Sequence, residues 1–285
     1  MKARYINPYT DFGFKKLFGE EANKDLLQDF LNHLLPEEYR IASLTLKNPE
    51  RQSDHFADRK AIFDIHCESE SGIRFVVEMQ KAKLKFFKDR AVFYTTFPIR
   101  EQAEKGDWNF KLNPIFCIAL VDFEFDEEKN KPADRYLSHV QLKDQYCEVF
   151  YDKLTYVFIE MPRFNKTEEQ LATHFEKWLY FLKHLEDFND IPAVLNEPIF
   201  RRGFEVAEIA NFDASQRDNY EESLNIYREL KGVVDTSFEE GLMEGLEKGI
   251  EKGKLEVAKM LKSMGEPLEK IRQATGLNDA EIEAA

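Results

Sequence analysis

Residues 61–80 read AIFDIHCESESGIRFVVEMQ. Apolar and polar residues alternate on both sides of a polar centre, which predicts an antiparallel hairpin rather than a helix. With Ser71 at the turn, Asp64 lies opposite Glu78, Ile65 opposite Val77, Cys67 opposite Phe75 and Glu68 opposite Arg74, and Phe63 joins Met79. A slip of one residue would set Asp64 against Val77 and mix both faces, so burial selects the first register. Two carboxylates then stand side by side, where like charges repel, and Gln80 follows Glu78 on the same face. Something positive should offset that repulsion, and a hard cation such as Mg²⁺ or Mn²⁺ suits carboxylate oxygens. The same pattern also suits a surface hairpin whose acidic pair faces solvent.

Upstream, residues 10–35 carry Phe14, Leu17, Phe18, Leu26, Leu27, Phe30, Leu31 and Leu34 at helical spacing, with a break expected at 19–23 and a stop at Pro36. Residues 43–46, 61–67 and 73–79 form a meander of three strands. Downstream, KAKLKFFKDR at 81–90 holds Lys81, Lys83, Lys85, Lys88 and Arg90 against Asp89 alone. It suits either nucleic-acid contact or the solvated start of an amphipathic helix. Residues 86–105 read as helix, PIFCIALVDF at 114–123 as a strand buried on both faces, and 140–150 with 154–161 as a further strand pair. The fold class is α/β, a mixed sheet covered by helices.

Beyond Pro162 the texture is helical, with an amphipathic helix at 168–185. Gly241, Gly245, Gly249 and Gly253 recur every fourth residue. Each costs about 1 kcal/mol in a helix relative to alanine, so a compensating close contact is expected and the tail reads as a self-association helix. A weak linker helix is the alternative. Residues 265–285 read as two short helices broken at Thr275-Gly276, a packing unit rather than a base-reading helix-turn-helix. The expected domains are 1–165, the core; 166–234, a helical region on it; and 235–285, the glycine-spaced tail.

With 43% hydrophobic residues, 33% charged residues and 25 Phe in 285 positions, the chain is expected to fold as a soluble globular protein. A net charge of −14 argues against unselective wrapping of nucleic acid. Cys67, Cys117 and Cys147 lie too far apart for a zinc or redox motif and read as buried thiols. No signal-like or membrane-length apolar run is present, so a cytoplasmic location is expected.

Three stretches carry a family likeness: TDFGFKKLFGEEANKDLLQDFLNHLL at 10–35, the hairpin with FDIHCE and VVEMQ, and the tail ending GEPLEKIRQATGLNDAEIEAA. Together the chain resembles the PD-(D/E)XK nuclease superfamily, and within it is most similar to the Rpn family of recombination-promoting nucleases and transposases. That family has E-x-Q where the superfamily has E-x-K. The resemblance implies a restriction-endonuclease-like core of helix, three-strand meander, helix and strand. It also implies Mg²⁺- or Mn²⁺-dependent hydrolysis of DNA phosphodiester bonds, serving recombination, transposition or mobile-element defence. Asp64 and Glu78 would be the metal ligands and Gln80 would stand in the lysine position. Glutamine brings only a dipole where lysine brings a charge, so a replacement cation is expected. Lys60, of the same strand parity as Asp64, is preferred over Lys81 and Lys83. Asp11 or Glu20 would complete the metal site. His66, on the Asp64 face, either touches substrate or is a half-exposed strand histidine. DNA is the expected partner, bound through Lys81, Lys83, Lys85, Lys88 and Arg90, with homo-oligomers forming through the C-terminal helices. The alternative reading is a nuclease-fold interaction module, for nucleic acid or protein, that has lost efficient chemistry.

Overall fold

The computed structural model describes residues 3–47, 50–51, 61–62, 64–103, 108–125, 132 and 134–285. Its sheet has six strands: β1 (Leu44–Lys47), β2 (Ile65–Ser69), β3 (Arg74–Gln80), β4 (Ile115–Val121), β5 (Leu137–Lys143) and β6 (Val149–Glu160). Their spatial order is β1-β2-β3-β4-β6-β5. The β2–β3 ladder pairs Ile65 with Val77, Cys67 with Phe75 and Glu68 with Arg74, the register that burial selects. Gly72 at φ +82° makes the turn, and a Cβ there would meet the Asn113 amide nitrogen at 2.5 Å. The second strand of the meander begins at Ile65, later than residue 61. Residues 61–62 instead pair with 50–51, and the Asp64 carboxylate accepts the Met79 amide at 2.7 Å where the ladder would otherwise continue.

β3, β4 and β6 run parallel. A parallel neighbour needs a crossover, and helix α3 (Phe87–Arg100) supplies it between β3 and β4. β4 is buried along its whole length, as a strand covered on both faces must be. On one face, Ile65, Cys67, Phe75, Val77 and Met79 pack into the larger core. Helices α1 (Asp11–Phe18), α2 (Lys24–Leu34), α4 (His174–His184) and α5 (Pro198–Ala207) contribute to that core. On the other, α3 lays Phe87, Ala91 and Tyr94 over Val76, Cys117, Ala119 and Phe158. Glu78 and Gln80 share strand parity with Val76, which brings them to the α3 side.

The break at 19–23 is a 3₁₀ turn, Glu21–Asn23, between α1 and α2. Thr10 caps α1 by accepting the Gly13 amide at 2.9 Å. The last strand pair is shifted relative to the expectation of 140–150 and 154–161. Its turn lies at 144–148, because Asp144 Oδ1 accepts the amides of Tyr146 at 2.9 Å and Glu148 at 3.0 Å, an aspartate-closed turn. Cys147 sits in that turn at φ +66° and is exposed, so only Cys67 and Cys117 are the buried thiols expected. The 168–185 helix starts at His174, where Thr173 and Glu176 form a reciprocal cap.

The chain divides into two compact units, Met1–Arg228 and Glu229–Ala285. Helix α6 (Ala214–Ser263) begins in the first. Within the second, α7 (Leu268–Thr275) and α8 (Asp279–Ala284) bring Ile271, Leu277 and Ile282 against Ala258. A Cβ built at Gly241, Gly245, Gly249 or Gly253 would meet nothing within 4 Å among the described residues. Leu242, Leu246 and Ile250 beside them are exposed. Among the described residues no helix is long and apolar enough to cross a membrane.

Candidate active site

Asp64 stands at a bend just before β2, and Glu78 near the end of β3. The hairpin locks the two together: the Asp64 amide donates to Glu78 Oε1 at 3.2 Å, and the Met79 amide donates to Asp64 Oδ2 at 2.7 Å. Glu78 is only 3% exposed, which excludes the solvent-facing acidic pair. Burial drives the Glu78 carboxyl up to about 8; the neighbouring Asp64 adds to this, and Arg90 opposes it. Asp64 is raised as well, by burial first and by Asp11 among its neighbours, against the Met79 amide, Lys15 and Arg90. Two carboxyls thus stand together, each raised by burial, and the described cation in contact with Glu78 is Arg90.

Among the described residues, Arg90 on the first turn of α3 reaches this pair. Its Nη2 lies 3.4 Å from Glu78 Oε2, its Nη1 donates to Gln80 Oε1 at 3.2 Å, and its guanidinium sits 4.8 Å from the Tyr94 ring centroid. Its buried Nε has no hydrogen-bond partner among the described residues. The Gln80 amide nitrogen donates to the Ala82 carbonyl at 2.9 Å, so both ends of the glutamine are engaged. Lys60, the cation preferred from strand parity, lies outside the described residues.

Asp64 also opens onto a cleft of about 610 Å³ lined by Asp11, Lys15 and Glu20 of the α1 region, by Lys81, and by Glu222 and Ser223 of α6. Burial lowers the Lys81 ammonium, against the raising effect of Asp11 and Asp64. Asp11 pairs with Lys15 at 3.0 Å. Glu20 is held by Lys16 at 2.9 Å and Asn23 at 3.1 Å, so of the two acids Asp11 is the less committed. Of the basic run, Lys81 and Arg90 converge on the acidic pair, while Lys83 and Lys85 are exposed on the loop before α3. Lys88 lies over the Phe125 ring at 5.0 Å. His66 is buried at 2% exposure, not half-exposed, inside the sheet between Lys47 and Val76.

Parity of the strands gives no sign of which α3 side chain will cross to the sheet, so the Arg90 bridge to Glu78 and Gln80 was missed, as was the α6 wall of the cleft. A second potential ligand group joins Asp29 and His33 of α2 to His174 of α4. There Asp29 Oδ2 accepts from Trp178 Nε1 at 2.7 Å and lies 2.8 Å from His174 Nε2. The two imidazoles stack at 3.9 Å, with His33 Nδ1 2.8 Å from the Asp29 carbonyl and His174 Nδ1 3.2 Å from Glu197 Oε2. This group reads as a clamp between helices.

A family model described as PD-(D/E)XK nuclease family transposase matches residues 8–237, which contain the hairpin, the sheet and the cleft. No curated protein and no solved structure matches the chain.

Proposed function

The chain belongs to the PD-(D/E)XK nuclease family transposases, and from that premise we propose that it is a divalent-metal-dependent DNA endonuclease in which Asp64 and Glu78 hold the ion. The observation that carries this reading is the acidic pair, whose carboxyls are both raised and whose cationic contact among the described residues is a 3.4 Å approach by Arg90. An oxygen-only donor set short of positive charge fits Mg²⁺ or Mn²⁺. Such an ion, when bound, polarises the phosphoryl oxygen and lowers the pKa of a water.

The chain's own residues supply the rest. The hairpin amides fix both carboxylates without neutralising them. Arg90 supplies at the Glu78–Gln80 edge the positive charge that glutamine lacks, and a guanidinium suits a phosphate oxygen. Gln80 serves as a strut between Arg90 and the strand end. Lys81, whose ammonium is lowered by burial in the Asp64 cleft, is the group able to orient or deprotonate the attacking water. Asp11 completes the acidic wall, and Lys83 and Lys85 meet the backbone of the DNA. A non-cutting interaction module is the second reading, favoured by the full engagement of the Gln80 amide.

Incubating supercoiled plasmid with the full chain and Mg²⁺ or Mn²⁺ tests this. Nicking that disappears in Asp64→Ala and Glu78→Ala supports the endonuclease; nicking that persists in both variants, or none by the wild type at any salt concentration, contradicts it. We further propose that the exposed Leu242, Leu246 and Ile250 stripe is covered by a second copy of the chain. Light scattering on a chain ending at Asp235 checks this, and an unchanged mass contradicts it.

A further inference from the structure

We propose that Phe86 and Phe93 form a base-stacking platform beside Arg90, so that the substrate is single-stranded or locally opened DNA rather than continuous duplex. This rests on the endonuclease reading of the adjoining site. Phe86, Arg90, Phe93 and Phe97 follow at spacings of four, three and four, which line one stripe of a helix. Phe86 caps α3, its carbonyl accepting the Arg90 amide at 3.0 Å. Its ring is 65% exposed, and that of Phe93 is 43% exposed. Phe93 is braced edge-on by Phe97 at 5.2 Å, so it is presented rather than loose. Between the two rings rises the arginine that touches Glu78 and Gln80. An incoming strand engaged by these rings therefore passes within a helical turn of the acidic pair.

Charge selects the occupant. Lys85 lies over Phe86 at 5.4 Å, Lys83 is exposed beside it, and Asp89 is the lone acid of the run, in a chain whose net charge is −14. A basic strip interleaved with aromatic rings is the pattern that holds an unpaired strand, phosphates on the cations and bases on the rings. Bases inside a duplex present no free face, so a protruding phenylalanine gains from stacking only where a base is terminal, flipped or unpaired. A duplex-wrapping protein would instead need many phosphate contacts, which so acidic a chain does not offer. Phe150, 82% exposed at the start of β6, is the internal control. It precedes Phe158, which is in register with Ala119 beside Glu78, by a stretch of strand spanning roughly 25 Å.

The test is fluorescence anisotropy of the full chain in EDTA, with labelled oligothymidylate and a labelled duplex of equal length. Tighter binding of the single strand is expected. Phe86→Ala should lose roughly 5- to 150-fold on that probe, the effect of one lost base stack, with Phe86→Trp restoring it and Phe150→Ala unchanged. Unaltered oligothymidylate affinity in Phe86→Ala, or an equal loss on duplex, overturns the proposal, the latter pointing to a general electrostatic or protein-docking role. Plasmid nicking with Mn²⁺ is scored separately. Single-strand binding that depends on Phe86 without any cutting would sink the endonuclease reading and leave the platform standing; nicking with no Phe86 dependence on either probe does the reverse.

Discussion

Among the buried glutamates, Glu78 at the end of β3 and Glu176 on the first turn of α4 lie at similar depth, at 3% and 6% exposure. Glu176 is answered on every side: Lys166 at 2.6 Å, the Ala172 amide at 2.7 Å and the Tyr136 hydroxyl at 3.0 Å. Burial alone would raise its carboxyl, but these partners more than offset it, and it sits below the ordinary range. Glu78 has a 3.2 Å amide and a 3.4 Å guanidinium, with a second carboxylate beside it, and sits well above. The pair separates a carboxylate used to close a helix cap from one left short of positive charge.

The largest expected difference is in cutting. Glu78→Gln and Asp64→Asn should each lower metal-dependent plasmid nicking by more than about 100-fold, the scale of losing a site's electrostatic contributor, while Glu176→Gln leaves the rate within a factor of about 2 at a temperature where the variant is folded. A strong loss in Glu176→Gln would break the comparison. Next, Arg90→Ala should cost roughly 10- to 100-fold and weaken Mn²⁺ affinity, as loss of a group that orients a ligand does. Arg90→Lys should recover part of this, and Arg90→Met with an undiminished rate would assign Arg90 to packing alone.

Stability should move the other way round. Glu176→Gln leaves Lys166 and the helix cap short of a charged acceptor and should lower unfolding free energy by about 1–3 kcal/mol, read by urea titration. Glu78→Gln in EDTA at pH 8 should raise it. The smallest effect is the slope with pH. Because the folded Glu78 carboxyl is raised, the folded state holds a proton the unfolded chain releases. Its contribution is therefore fully present below the unfolded value and is lost as pH rises toward 8. The slope reaches at most about 1.4 kcal/mol per pH unit. Glu176, lowered, contributes in the opposite sense, its stabilisation fading as the solution is acidified below the ordinary glutamate range. Melting curves of the metal-free chain from pH 5 to 8 should fall with pH and flatten in Glu78→Gln; equal slopes in both proteins would remove Glu78 as the cause.

The hairpin was legible because a strand's period of two leaves a single register that keeps both faces consistent, and that register brings Asp64 to Glu78. The buried β4 run and the α1–α2 break were equally plain. Arg90 was not, since its approach depends on how α3 lies across the sheet, a long-range packing angle no local pattern encodes. His66 reads as half-exposed from alternation alone, yet β1 and α3 cover both sides of that hairpin. The Asp144 turn was hidden because its closing bonds come from one side chain, not from a Gly or Asn-Gly signal. The family likeness carried over the acids but not the cation, since the E-x-Q motif removes the lysine that would have marked it.

We propose that Asp64 and Glu78 together hold a divalent ion. Titrating Mn²⁺ into the full chain, followed by calorimetry, tests it directly. Binding should be lost in both Asp64→Asn and Glu78→Gln and retained in His174→Gln, which alters the Asp29 group. Binding undiminished in both acidic variants, or abolished by His174→Gln alone, would place the ion elsewhere and contradict the account.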